Sequence, residues 1–166
     1  PEKSSVVVLV GPMGVGKTTV GKKLAKALKV PFIDTDAVVV AEHGEISQIF
    51  ETQGEPAFRA LEEAAVAAAI TEPSVVATGG GVVLSAVTRE RLKAATVIYL
   101  STDGRHIKSR LTGGKRPLLK NGFEDWTRIY DERKPIYESV ADITINTSGQ
   151  SLAATLAAIK EQLGVS

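Results

Sequence analysis

The chain predicts an α/β fold in which a five-stranded parallel sheet carries helices on both faces, giving three α/β/α layers. Short runs rich in β-branched residues recur along its 166 residues, at Val6–Val10, Pro31–Asp34, Val75–Thr78, Thr96–Leu100 and Asp142–Asn146. Longer helical patterns separate these runs, and repeated strand–helix alternation marks a parallel sheet, whose crossovers must pass over one face or the other. The first run also leads directly into a glycine-rich loop and then a helix, the opening unit of many such sheets.

Val6–Val10 is continuously apolar, as a strand covered on both faces requires. Gly11-Pro12-Met13-Gly14-Val15-Gly16-Lys17-Thr18 follows, a full G-x-x-x-x-G-K-[ST] match opening a helix over 17–29. Its glycines let the backbone curl so that successive N–H groups point inward, and the helix N-terminus adds partial positive charge. A nucleoside triphosphate is then held mainly by main chain, with Met13, Gly14, Val15, Gly16, Lys17, Thr18 and Thr19 as its contacts. Lys17 reaches the β- and γ-phosphates and the Thr18 hydroxyl meets Mg²⁺. Further helices are expected at 36–44, 46–53, 55–72, 85–94, 103–111, 123–140 and 150–163. The last shows Leu152, Leu156, Ile159 and Leu163 as a single stripe that docks on the sheet. Pro135 predicts a kink or break just before it. Phe123 and Trp126 are read as helix packing, and His43 and His106 as exposed residues outside any site.

The length suits one domain, residues 1–166, able to bury its core without disulfides. The absence of cysteine excludes thiol catalysis and thiolate metal sites and accords with a cytoplasmic location. Val6–Val10 and Ala64–Ile70 are far too short to span a bilayer. The chain starts at Pro1, so a segment upstream, even an organelle address, stays open. A net charge of +1 gives no reason to expect nucleic acid or membrane as a partner. Along the chain the charge is uneven. Residues 36–63 hold seven acids against Arg59 alone, whereas 104–122 hold Arg105, Lys108, Arg110, Lys115, Arg116 and Lys120 with no acid. The glycines and proline of the second stretch suggest a mobile lid at about 112–124 that brings positive charge to the phosphates.

In parallel sheets the loops at the carboxyl ends of the strands build the ligand crevice. Asp34-Thr35-Asp36 follows the second strand and Gly79-Gly80-Gly81 the third, on the rim that holds the phosphate loop. Two residues apart, Asp34 and Asp36 point the same way from an extended segment. The third strand ends without a carboxylate, so Asp34 is the natural support for Mg²⁺, through metal-bound water. Asp36 is placed to accept a hydrogen bond from an alcohol and help take its proton. Either aspartate could instead cap the helix that begins near residue 37. The glycines point to close approach or positive φ, with a plain turn as the alternative. Arg59 has Glu55, Glu62 and Glu63 at helical spacing, which would satisfy it, yet it could equally grip a substrate carboxylate. Arg133 carries the same ambiguity.

Taken together, the phosphate loop, Asp34-Thr35-Asp36, Phe58-Arg59 with Glu62, Gly79–Gly81, Arg116-Pro117-Leu118-Leu119 and Arg133-Lys134-Pro135-Ile136-Tyr137 resemble the shikimate kinase family in order and spacing across essentially the whole chain. The resemblance implies strand order 2-3-1-4-5 and ATP-dependent phosphorylation of the shikimate 3-hydroxyl on the way to chorismate and the aromatic amino acids. It implies a monomer with ATP and shikimate as ligands and Mg²⁺ as cofactor, held at Thr18 and Asp34. Lys17, Asp36 and Arg116 become the catalytic set, with Arg116 on the lid. Asp36, Arg59, Gly79, Gly80, Gly81 and Arg133 become the shikimate site, within a helical region of about 36–63, and Arg110 lies near adenine. Gln150 is a departure, since many relatives carry arginine beside the adenine there. A gluconate-type or nucleoside monophosphate kinase, and a non-catalytic nucleotide-binding regulator, are the alternatives.

Overall fold

The computed structural model describes residues 5–107, 119 and 121–165. Its centre is β1 (Val6–Val10), flanked by β3 (Ser74–Ala77) and β4 (Thr96–Ser101), with β2 (Phe32–Asp34) and β5 (Ile143–Asn146) at the edges. All four pairings are parallel and the order is β2-β3-β1-β4-β5, as the family resemblance implies. Val8 lies between Val76 of β3 and Val97 of β4.

Strand periodicity divides the apolar residues between two cores. Val6, Val8 and Val10 face α4 (Glu55–Ala69) and α6 (Phe123–Val140), through Val66, Trp126, Ile129, Tyr130 and Tyr137. Val7 and Leu9 face α1 (Lys17–Leu28) and α7 (Leu152–Leu163), through Val20, Leu24 and Ile159. With both faces covered, β1 must be apolar throughout, and all five of its residues are buried. A third cluster, Val39, Ile49, Phe58 and Ala65, joins α2 (Thr35–His43) and α3 (Ile46–Gln53) to α4. Those three helices fill the connection between β2 and β3, and so overhang the rim where the first three strands end. A 3₁₀ turn (Val82–Leu84) and α5 (Ala86–Leu92) complete the described elements.

Two expectations change. The helix expected over 55–72 ends at Ala69. The break expected before Pro135 does not occur, because α6 runs unbroken from Phe123 to Val140 with Pro135 inside it. Proline removes one helical hydrogen bond. Here Trp126, Ile129, Tyr130, Arg133 and Tyr137 bury one continuous face on either side of it, and that packing holds the helix together. The helix expected at 103–111 and the lid at about 112–124 lie largely outside the described residues. His43 and His106 are exposed, as read from the sequence.

Ile159 is fully buried between α7, α1 and the sheet. Ile159→Ala is expected to lower unfolding stability in urea by about 2–5 kcal/mol, with ligand affinities of the folded protein unchanged.

Candidate active site

The phosphate loop leaves β1 at the centre of the sheet and enters α1. Gly14 (φ 81°) and Gly16 (φ 101°) take left-handed conformations that side chains disfavour. Gly16, at the N-cap of α1, has no side chain to cap it, and the first helical amides face the loop. Lys17 is 9% exposed, and its ammonium donates to the carbonyls of Gly11 at 2.6 Å and Pro12 at 2.8 Å. Met13 through Thr19 line a cavity of about 550 Å³ whose other walls include Asp34, Asp36, Gly79, Gly80 and, from the segment entering α7, Thr147 and Gln150.

The two aspartates take different positions from those expected. They are not neighbours on an extended segment, because α2 begins at Thr35: Asp34 ends β2 and Asp36 sits in the first helical turn. The capping role falls to Asp34, whose Oδ1 accepts from the amides of Asp36 (3.0 Å) and Ala37 (3.2 Å). Its Oδ2 accepts from the Thr18 hydroxyl at 3.0 Å, tying α2 to the phosphate loop. Asp36 does not cap the helix and faces the cavity. Burial, and next the neighbouring Asp34, push its carboxyl above the usual range, while Lys17 and Arg59 pull against them.

A second cavity of about 90 Å³ adjoins the first and shares Met13, Asp36, Gly79 and Gly80 with it. Arg59, Glu62 and Arg133 face it, beside Phe50 and Phe58. Arg59 is held within its own helix and also faces the cavity. Its Nε donates to Glu55 at 3.2 Å and a terminal nitrogen to Glu62 at 3.0 Å, with the guanidinium 5.2 Å from the centre of the Phe58 ring. Glu63 instead accepts from Ser85 at 2.7 Å. Glu62 is 3% exposed, and its burial raises its carboxyl above the usual range against the pull of Arg59. Arg133 is buried on α6.

At Gly79 and Gly81 the triple glycine is a matter of close approach. None of Gly79, Gly80 and Gly81 has a positive φ, yet a Cβ on Gly79 would stand 2.8 Å from an Asp36 oxygen and 3.0 Å from a Glu62 oxygen. On Gly81 it would collide with the Arg59 guanidinium at 2.2 Å. The segment also turns, since Val82 N–H donates to the Gly79 carbonyl at 3.2 Å.

Sequence reasoning passed over three supporting side chains. The Tyr137 hydroxyl donates to the Gly80 carbonyl, the Thr78 hydroxyl donates to the Leu9 carbonyl at 2.7 Å, and the Trp126 indole donates to the Met13 carbonyl at 2.8 Å. Helical spacing could have found Tyr137, which stands four residues after Arg133 on the same face. Arg110 and Arg116 lie outside the described residues.

The family model described as shikimate kinase matches residues 13–164. A shikimate kinase of Rhodococcus jostii is 48% identical over 88% of this chain and 90% of its own. One from Salinispora arenicola is 46% identical over 93% and 96%. The solved structure of a shikimate kinase from Acinetobacter baumannii in complex with shikimate superposes with a TM-score of 0.90 and 36% identity, over 98% of this chain and 95% of that one. The chain therefore belongs to the shikimate kinase family and is a kinase that uses ATP.

Proposed function

We propose that this chain transfers the γ-phosphoryl group of ATP to the 3-hydroxyl of shikimate, giving shikimate 3-phosphate and ADP. The observation that carries the proposal is the pair of adjoining cavities. One is built on the phosphate loop, the other holds two arginines, and Asp36 stands in the wall they share. A hydroxylated acid fits that arrangement. Arg59 and Arg133 take its carboxylate in charge-assisted hydrogen bonds, and amides of Gly79–Gly81 lie close to its ring. Asp36 accepts the hydrogen bond of the reacting hydroxyl.

The phosphate-loop amides and Lys17 hold the β- and γ-phosphates, with Lys17 giving up the Gly11 and Pro12 carbonyls for them. The acceptor oxygen forms a bond to the γ-phosphorus as the bond to the β–γ bridging oxygen breaks. The leaving electron pair stays on ADP and the hydroxyl proton passes to Asp36, whose raised basicity suits that task. The Thr18 hydroxyl and Asp34 carboxylate, 3.0 Å apart, form an all-oxygen pair that fits Mg²⁺, a cation that takes few protein ligands and completes its shell with phosphate and water. When bound, Mg²⁺ would offset charge on the β- and γ-oxygens. Gln150 supplies neutral hydrogen bonds at the far wall of the nucleotide cavity. By family resemblance, Arg116 closes over the phosphates and Arg110 lies against adenine. The same proposal extends to a monomer working in the cytoplasm without nucleic-acid or membrane partners, in keeping with the charge of +1 and the lack of cysteine.

A coupled assay of ADP release with shikimate, gluconate and nucleoside monophosphates as acceptors tests the proposal. Release is expected to depend on shikimate, and release driven by another acceptor alone would overturn it. Lys17→Ala is expected to lose most turnover while calorimetry still detects shikimate binding. Arg59→Ala should raise the KM for shikimate by about tenfold or more, the loss of a charge-assisted fork. A change in thermal stability alone would reduce Arg59 to a helix pair. For Asp36→Asn, turnover should fall about 100-fold or more, while stability moves the other way. A raised folded-state pKa means the folded protein binds more protons than the unfolded one across the carboxylate range, so wild-type stability declines as pH rises through it. The asparagine variant should therefore unfold at a higher temperature than wild type at neutral pH. That advantage should vanish below the ordinary aspartate range.

A further inference from the structure

Three successive carbonyls at the start of the phosphate loop each meet a side-chain donor. Lys17 takes those of Gly11 and Pro12. The third, on Met13, accepts from the indole N–H of Trp126, which reaches it from α6, 113 positions away along the chain. Trp126 is the chain's single tryptophan and is 3% exposed. Its ring is held on several sides. Phe123 stacks on it at 5.5 Å and 8°, Tyr130 meets it at 5.1 Å and 54°, and Gly104 lies so close that a Cβ there would stand 3.1 Å from it.

Core packing accounts for the ring but not for the choice of acceptor. The peptide between Met13 and Gly14 is trans, so its C=O and N–H point in opposite directions. Trp126 lines neither cavity, so the Met13 carbonyl is drawn away from the nucleotide cavity and toward α6. The Gly14 N–H is thereby turned back toward the cavity that Met13, Gly14, Val15 and Gly16 line. Gly14, at φ 81°, has no Cβ to oppose rotation of this peptide, so the loop sequence alone does not choose between the two orientations.

We propose that Trp126 is a positioning residue for the nucleotide: by holding the Met13 carbonyl it keeps the Gly14 amide aimed at the phosphates. This inference rests on the nucleotide-binding half of the function proposed above. The indole acts through the backbone and touches no reacting atom. Its contribution is orientation set in advance, which spares the bound state the reordering of a flexible loop.

The test replaces Trp126 by 3-benzothienylalanine, which keeps the shape of the bicyclic ring and substitutes sulfur for the N–H, alongside Trp126→Phe. Calorimetry with ADP and steady-state kinetics are run on wild type and both variants. In the isostere, the ADP dissociation constant and the KM for ATP should rise about three- to tenfold, the range a single net hydrogen bond spans. The KM for shikimate and the unfolding temperature should stay near wild type. Should Trp126→Phe prove unstable, the isostere still decides the matter because its packing is preserved. Unchanged ADP affinity in the folded isostere, or equal weakening toward ADP and shikimate, overturns the proposal while leaving the kinase reading intact. Wild type that binds ADP but phosphorylates another acceptor would overturn the shikimate reading and leave Trp126 in its role. Wild type that binds no ADP would overturn both.

Discussion

The backbone of Gly79 and Gly81 passes so near to charged side chains that a single methyl group on it would strike them. Asp36 from α2 stands 2.8 Å from where a Gly79 Cβ would be, Glu62 from α4 stands 3.0 Å away, and the Arg59 guanidinium occupies the place of a Gly81 Cβ. This contact joins the site. It sets side chains of the helical connection between β2 and β3 against the rim of the sheet, where the main chain of Gly79 and Gly80 borders both cavities. It also explains why Asp36 lines both. Because β3 lies between β2 and β1, the segments that follow these three strands emerge side by side, and Thr78, just after β3, donates to the Leu9 carbonyl of β1.

The same crowding sets the electrostatics. Asp36 and Glu62 are driven upward by burial, and Arg59, Lys17 and Arg133 limit the rise. A buried carboxylate without such neighbours would be very costly, and so would a buried arginine without carboxylates. In the free protein these groups satisfy one another and the backbone: Arg59 rests on Glu55 and Glu62, and Lys17 on Gly11 and Pro12. In the proposed reaction the ligands enter by exchange of partners. There Arg59 need not leave its own helix to meet a carboxylate, since it already borders the smaller cavity.

One helix supports both halves of the site. The buried face of α6 carries Trp126 against the phosphate loop, Arg133 at the smaller cavity and Tyr137 on the Gly80 carbonyl. Pro135 lies exposed, off that face, and the helix continues through it, which shows how far packing can outweigh local propensity. Trp126, Arg133 and Tyr137 stand seven and four residues apart, two turns and one turn of helix, so their common face was visible in advance. Their targets were not, because each lies across the fold.

Local chemistry, read from residues alone, determined the strands, the alternation that makes the sheet parallel, the phosphate loop and the presence of carboxylates and glycines on one rim. These follow from short-range pattern, since strand period, helix period and the G-x-x-x-x-G-K-[ST] spacing each span only a few residues. Tertiary structure decided between readings that local pattern left level. Asp34 rather than Asp36 became the cap because α2 starts at Thr35. Arg59 satisfies Glu55 and Glu62 and also borders the smaller cavity, and Gly79 and Gly81 serve close approach rather than positive φ. Each of those outcomes depends on atoms brought together from distant parts of the chain, and only the packing of helices onto the sheet rim sets such distances.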